Sequence, residues 1–323
     1  MTAPIRWGIL ATGGIAATFV SDLKFLPDAE VVAVGSRSDQ AAKAFADTHG
    51  IPRAYGSWQA LADDPDVDVV YVATPHSAHA AATSILLNAG KAALTEKPIA
   101  LDAPQATGLI ELSRARQVFL MEAMWTRFFP AVRHALDLVR NGAIGRVTSV
   151  HSDFGFAGPD DPTHRLNAKV LGGGATLDLG VYPVTMTHLF LGSPTEVRAW
   201  ADLSPEGTDR NTAMVFGYES GATATVTCSL VGFSPTVAVI SGSKGIIEIP
   251  SKFFMPRQLV LHRGESAEVL DFPVEGKGYH LEAAEVHACL RAGRIESETM
   301  PHSETLAVMT TLDRVRAEIG VTY

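Results

Sequence analysis

The segment Leu10-Ala11-Thr12-Gly13-Gly14-Ile15-Ala16 leads from an apolar run into a helical pattern. Set against G-x-G-x-x-G/A, it keeps the second glycine at Gly13 and a small third residue at Ala16. Ala11 stands in place of the first glycine. The middle glycine lets a backbone approach a pyrophosphate, whose charge then meets the helix N-terminus. Alone, the match reads equally as a glycine turn of an unrelated α/β fold. With a strand before it, a helix after it and a second strand beyond, it reads as a dinucleotide turn with Ala11, Thr12, Gly13, Gly14 and Ile15 against the cofactor. The next strand ends Val34-Gly35-Ser36-Arg37-Ser38, with no acid to accept from ribose hydroxyls. Ser36 and the Arg37 guanidinium suit a 2′-phosphate, so NADP(H) is preferred and NAD(H) remains possible. The plainer reading leaves Arg37 a solvated loop charge.

Two further segments fall where ligands of open α/β sheets bind, beyond the carboxyl ends of strands. Ala73-Thr74-Pro75-His76-Ser77-Ala78-His79 follows the third strand, and Thr74, Pro75 and His79 are counted with the cofactor edge. His79 reads as a helix-start histidine rather than a metal ligand, since no partner has suitable spacing; no metal site is expected. Leu94-Thr95-Glu96-Lys97-Pro98-Ile99-Ala100 follows the fourth strand. Pro98 removes a backbone donor and drives Lys97 out of the helical region into an extended bend. An E-K-P of this kind is either a surface turn or a means of fixing Glu96 and Lys97 at that edge.

The elements that must hold these residues can be read from periodicity. Strand-like runs at 5–10, 31–35, 69–73, 92–95 and 118–121 alternate with helical patterns at 15–25, 40–49, 78–88 and 104–116, with Asp102 a plausible cap. Such alternation implies a parallel sheet covered on both faces. After a helix at 130–140 the rhythm changes to strands at 147–156, 195–203, 212–219 and 222–230. In the last, Ala222, Ala224, Val226, Cys228 and Leu230 point one way and Thr223, Thr225, Thr227 and Ser229 the other, which is period two. Shorter strands are expected at 237–240, 245–249, 259–262 and 269–272, and helices at 281–292 and 304–319. The fold class is therefore α/β: a doubly wound domain over 1–125, then an α/β domain over 126–323 with a large, mostly antiparallel open sheet.

The 323 residues are 46% hydrophobic and 19% charged, enough apolar material for two cores. A net charge of −9 without a Lys/Arg cluster argues against a nucleic-acid partner. Two cysteines support neither a disulfide framework nor a cysteine-rich zinc site, and fit a reducing, cytoplasmic compartment. No run of 18 or more apolar residues suggests a membrane span.

Together the glycine turn, T-P-H-x-x-H at 74–79, E-K-P at 96–98 and the stretch Gly172-Gly173-Gly174-Ala175-Thr176-Leu177-Asp178-Leu179-Gly180-Val181-Tyr182 resemble the Gfo/Idh/MocA oxidoreductase family over essentially the whole chain. Met121-Glu122-Ala123-Met124-Trp125-Thr126-Arg127-Phe128 and Tyr182, where many members carry histidine, resemble its dimeric dihydrodiol dehydrogenases and NADP-dependent D-xylose dehydrogenases. The resemblance implies a Rossmann domain, nicotinamide at the cleft between domains, a cis Lys97-Pro98 bond, and active-site roles for Lys97 and Tyr182. A phenol serves as acid/base when a nearby ammonium stabilises its phenolate, so Tyr182 is read as proton donor/acceptor with Lys97 beside it. Asp178 is read as a partner to substrate or to Lys97. Otherwise Tyr182 is a packed tyrosine and Asp178 a cap. Trp125 and Phe154 would wall a pocket for a sugar, polyol or cyclic diol, joined by Arg127 and Tyr279; Arg165 would orient cofactor or substrate. The implied activity is hydride transfer at a CH–OH group. The alternatives are a ketosugar or anhydrosugar reductase and a non-catalytic nucleotide-binding regulator. A homodimer or higher homo-oligomer through the C-terminal sheet is also implied.

Overall fold

The computed structural model describes residues 3–323. They form two compact units, the first running to Trp125 and regaining Glu275–Thr305, the second comprising Thr126–Val274 and Leu306–Tyr323. One boundary falls at 125/126, and residues 275–305 pack with the first unit. Periodicity marks a helix there but carries no information about which distant surface it covers.

In the first unit, β1 (Ile5–Leu10), α1 (Gly14–Leu23), β2 (Ala29–Gly35), α2 (Asp39–His49), β3 (Arg53–Tyr55), α3 (Trp58–Ala62), β4 (Val69–Val72), α4 (His76–Asn88), β5 (Ala92–Glu96), α5 (Ala103–Arg116) and β6 (Leu120–Ala123) follow in order. Their sheet is parallel throughout, in the order β3-β2-β1-β4-β5-β6. This is the doubly wound dinucleotide-binding order, with its switch point between β1 and β4. All residues of β4 and β5 are buried, as a sheet covered on both faces requires. Side-chain caps start three helices: Ser38 Oγ accepts from Ala41 N at 3.2 Å, Ser57 Oγ from Ala60 N at 3.1 Å and Asp102 Oδ1 from Gln105 N at 2.8 Å. The expected run at 118–121 forms two residues later, as Leu120–Ala123. β3 and α3 have three and five residues, too short to show a period.

The second unit begins with a 3-10 turn, whose first residue, Trp125, still belongs to the first unit. It continues through α6 (Pro130–Arg140), β7 (Val147–Gly155), a wide π-turn at Thr176–Gly180, α7 (Val181–Leu191), β8 (Glu196–Leu203), β9 (Asp209–Gly217), β10 (Thr223–Ser229), β11 (Ala238–Gly242), β12 (Gly245–Ile249), β13 (Gln258–Arg263) and β14 (Ser266–Asp271). The eight strands run β14-β13-β12-β11-β7-β10-β9-β8, antiparallel except for β7 with β10. In β10 the alternation holds: Ala224, Val226 and Cys228 are buried and Thr223, Thr225 and Thr227 exposed. α7 is buried from Val181 through His188, on every side, and so has no amphipathic period to read. α8 (Tyr279–Arg291) lies in the returning segment, and α9 (His302–Ile319) closes the chain. Among the described residues no helix is long and apolar enough to cross a membrane.

Polar bonds, not only apolar packing, fix the returning segment within the first unit. Asp22 on α1 is buried, and its carboxylate accepts from Lys277 N at 2.9 Å, Gly278 N at 2.7 Å and Tyr279 N at 3.0 Å, capping α8 from another helix. Trp7 Nε1 donates to His287 Nε2 at 2.9 Å, and Leu120 N donates to Ile295 O at 3.0 Å beside β6. Removing the shared acceptor orphans several amides at once. Asp22→Ala is therefore expected to lower unfolding free energy by about 2–3 kcal/mol, with Asp22→Asn costing less, as read by urea titration; a loss under about 0.5 kcal/mol would contradict this account.

Candidate active site

At the first switch-point loop Ala11 N donates to Gly35 O at 2.9 Å, and Ala11 adopts φ +104°, a glycine-like backbone. The turn thus keeps the geometry of the missing first glycine at a steric cost. Gly13 starts α1 with no side-chain cap, and a Cβ placed on Gly13 or Gly14 would meet nothing within 4 Å. The first turn carries no acid. Uncapped amides facing open space at a helix N-terminus fit a pyrophosphate. At the tip of β2, Ser36 N donates to Tyr55 O at 3.0 Å and Arg37 is exposed.

The loops after β4 and β5 are tied together by His79. It is wholly buried, with ring nitrogens 2.8 Å from both Thr74 O and Pro98 O. His79 thus braces the two loops against each other. Burial and the neighbouring His76 push its pKa down to about 3, while the two carbonyls pull the other way. Thr74 is buried and Pro75 starts α4. The Lys97-Pro98 bond is cis. Glu96 turns inward, where it accepts from the Tyr71 hydroxyl and, at 3.1 Å, from Lys97 N. Tyr71 stacks on Phe19 at 3.8 Å and 10°. Behind them stands Glu282 on α8, fully buried and, among the described residues, with no hydrogen-bond partner for either oxygen. Burial first, and then the Glu96 charge, push its pKa well above the ordinary 4.5. Burial likewise raises Glu96, opposed chiefly by Lys97. Trp125 and Tyr279, both nearly buried, stack at 4.1 Å and 6° within this unit.

In the second unit the π-turn and α7 carry Asp178 and Tyr182. Asp178 lies on the π-turn and Tyr182, four residues later, on the first turn of α7. Asp178 is buried and pairs with Arg165 at 3.1 Å, the arginine side chain remaining half-exposed. Tyr182 is 7% exposed and stands 5.6 Å from the Phe154 ring and 5.7 Å from that of Phe254. Phe154 and Phe254 stack at 4.5 Å and 4°. Thr126 Oγ1 holds Phe254 by donating to its carbonyl at 2.7 Å. Arg127 is buried. Phe254, Tyr71 and Glu282 were not legible as site neighbours; the only signal for the first is the Phe253-Phe254 doublet.

A uniformly parallel doubly wound sheet with an open helix N-terminus in one unit, and a phenol with a paired carboxylate in the other, fit an oxidoreductase of the nucleotide-binding kind. The chain belongs to the Gfo/Idh/MocA oxidoreductase family. Residues 5–124 match the model described as "Oxidoreductase family, NAD-binding Rossmann fold", and residues 132–248 match the Gfo/Idh/MocA C-terminal domain. It is 36% identical over 329 residues to the trans-1,2-dihydrobenzene-1,2-diol dehydrogenase of Danio rerio and 37% identical over 333 residues to that of Mus musculus, in both cases covering 99% of this chain and 98% of the relative. Among solved structures, a 3-ketoreductase from Actinomadura kijaniata in complex with TDP-benzene and NADP superimposes with a TM-score of 0.85 at 28% identity, over 98% of each chain. The fold is also that of the aldose–aldose oxidoreductase of Caulobacter crescentus, with a TM-score of 0.89 at 24% identity over 98% of this chain and 97% of that one.

Two outcomes test this geometry. Ala11→Gly should relieve the left-handed strain and raise stability by about 1 kcal/mol without weakening nucleotide binding; a less stable variant would show that the turn is not strained. For Glu282, a carboxyl raised in the folded state binds its proton more tightly there than in the unfolded chain, so stability is lost as pH climbs above the ordinary carboxylate value. Glu282→Gln cannot ionise. Its melting temperature relative to the parent should therefore rise steadily from pH 4 to pH 8; a difference independent of pH would refute the buried neutral acid.

Proposed function

We propose that this protein is an NADP(H)-dependent dehydrogenase that moves hydride between nicotinamide and a hydroxyl-bearing carbon of a small cyclic diol or sugar. The observation that carries it is the wall formed by Tyr182, Phe154 and Phe254 beside the Arg165–Asp178 pair. Flat aromatic faces suit ring C–H groups, and a phenol with a carboxylate suits adjacent hydroxyls. The full-length likeness to trans-dihydrodiol dehydrogenases supports the diol; the 3-ketoreductase likeness supports a sugar and the reductive direction as a second reading. Solved variants of that reductase replace one tyrosine or one lysine.

In this reading Ala11, Thr12, Gly13, Gly14 and Ile15 cradle the pyrophosphate, while Ser36 and Arg37 receive the 2′-phosphate. Thr74, Pro75, Glu96 and Arg165 complete the cofactor's surroundings. The bound nicotinamide supplies the hydride chemistry. Tyr182 exchanges the hydroxyl proton. The Lys97 ammonium favours its phenolate and donates to the substrate oxygen. Trp125, Arg127, Phe154, Asp178 and Tyr279 orient the substrate. The protein acts in the cytoplasm as a homodimer through the outer face of the eight-stranded sheet. Trp200, 70% exposed, and Val215, 53% exposed, stand on that face with the β10 threonines.

The test is nicotinamide absorbance with NADP+ and NAD+ against trans-dihydrodiols, D-xylose, other aldoses and polyols. Turnover should favour NADP+. Tyr182→Phe and Lys97→Met should each lower kcat by about 10²–10⁴-fold, and Arg37→Ala should weaken NADP+ more than NAD+. Tight cofactor binding without turnover of any substrate would favour the non-catalytic regulator instead.

A further inference from the structure

Asp209 at the start of β9 lies outside the groups assigned above and is wholly buried. Its Oδ2 accepts from Thr176 N at 2.7 Å, Thr176 Oγ1 at 2.6 Å and Thr212 Oγ1 at 2.7 Å. Three donors converging on one carboxylate oxygen are a costly arrangement to bury unless they hold something in place. What they hold is the first residue of the π-turn. Asp178 comes two residues later and Tyr182 six.

The surrounding packing points the same way. Gly174, at φ +131°, has no room for a side chain: a Cβ there would sit 2.5 Å from Asp209 Oδ1 and 2.8 Å from the Tyr323 hydroxyl. A Cβ on Gly173 would fall 2.8 Å from Leu166 O, and one on Gly180 would fall 3.1 Å from Cys228 Sγ. Tyr323 donates its hydroxyl to Gly173 O. Cys228 and Thr212 are opposite partners on β10 and β9. The turn is thus pressed onto the sheet at Gly174 and Gly180, packed against the 166–168 loop at Gly173, and tied to the sheet at one carboxylate. Sliding the turn by one residue would rotate Asp178 away from Arg165 and Tyr182 away from the Phe154–Phe254 stack.

We propose that Asp209 is the positioning residue of the 174–182 turn, fixing through Thr176 the places of Asp178 and Tyr182. This rests on the reading of those two groups as substrate-facing. Burial raises the Asp209 carboxyl above its ordinary range, and the hydrogen bonds from Thr176 and Thr212 oppose that rise.

The experiment compares Asp209→Asn with the parent in three readouts: steady-state kinetics, NADPH binding by fluorescence, and hydrogen exchange of amides 174–182. Asparagine keeps the volume but can no longer offer a full carboxylate to three donors. The expected result is a kcat lower by about 100-fold, the cost of displacing reacting groups by about 1 Å, with NADPH affinity changed less than about twofold. Exchange should quicken in 174–182 and stay unchanged in β1 and β4. Should Asp209→Asn fail to fold, Thr176→Val should reproduce the loss and Thr176→Ser, which keeps the hydroxyl, should recover it. Unchanged exchange across 174–182 in Asp209→Asn, or in Thr176→Val if the former does not fold, would overturn the proposal. So would exchange that quickens everywhere together with lost NADPH binding, because Asp209 would then hold the fold in general. If the parent turned over no substrate, the exchange readout would still decide the positioning claim while the functional reading fell.

Discussion

A parallel sheet ends all its strands on one side, and the first unit follows from that constraint. The loops after β1, β2, β4 and β5 collect at a single edge whatever their sequences. An open helix N-terminus, an exposed arginine and a lysine before a cis proline therefore become neighbours of one ligand-binding edge without any long-range code in the chain. The same burial that makes the sheet stable leaves no water for polar groups behind the edge. Tyr71 and Glu96 answer this by bonding to each other, and His79 by bracing two loop carbonyls.

The second unit solves a different problem. Its sheet is antiparallel except for one pair, so strand ends do not gather candidate groups such as Asp178 and Tyr182 at one edge. They are delivered by a turn and helix laid across the buried face. Close approach, through glycines where any Cβ would collide, replaces strand direction as the organising constraint.

Much of this could be read from the chain. Period two in β10, the glycine turn, the proline after Lys97 and the Asp102 cap are local patterns with local causes, and each formed as read. The cis bond at Lys97-Pro98 came from family resemblance, since no local rule favours it. What escaped was non-local or too short. β3 and α3 span less than a full pattern. α7, apolar on all sides, offered no face to recognise. The return of residues 275–305 depends on Asp22 capping a helix more than 250 residues away, a relation no window can contain. The bracing role of His79, with both ring nitrogens against loop carbonyls, is likewise set by the fold and not by any local pattern. Phe254 joins the site only because the fold lays it on Phe154.

The buried acids show how one chemical type takes opposite roles. Asp22, Asp153 and Asp209 each accept backbone amides from a distant segment: Lys277–Tyr279, Thr236 with Val237, and Thr176. A short side chain with two acceptor oxygens is well suited to that, because it reaches amides without bringing a long flexible stem into the core. These carboxylates are structural anchors whose negative charge is spread over donors. Among the described residues Glu282 has no donor and is held beside Glu96, so the favourable state is the neutral acid. Burial and the Glu96 charge thus act together on Glu282, and the first unit accommodates the two acids most readily when Glu282 keeps its proton.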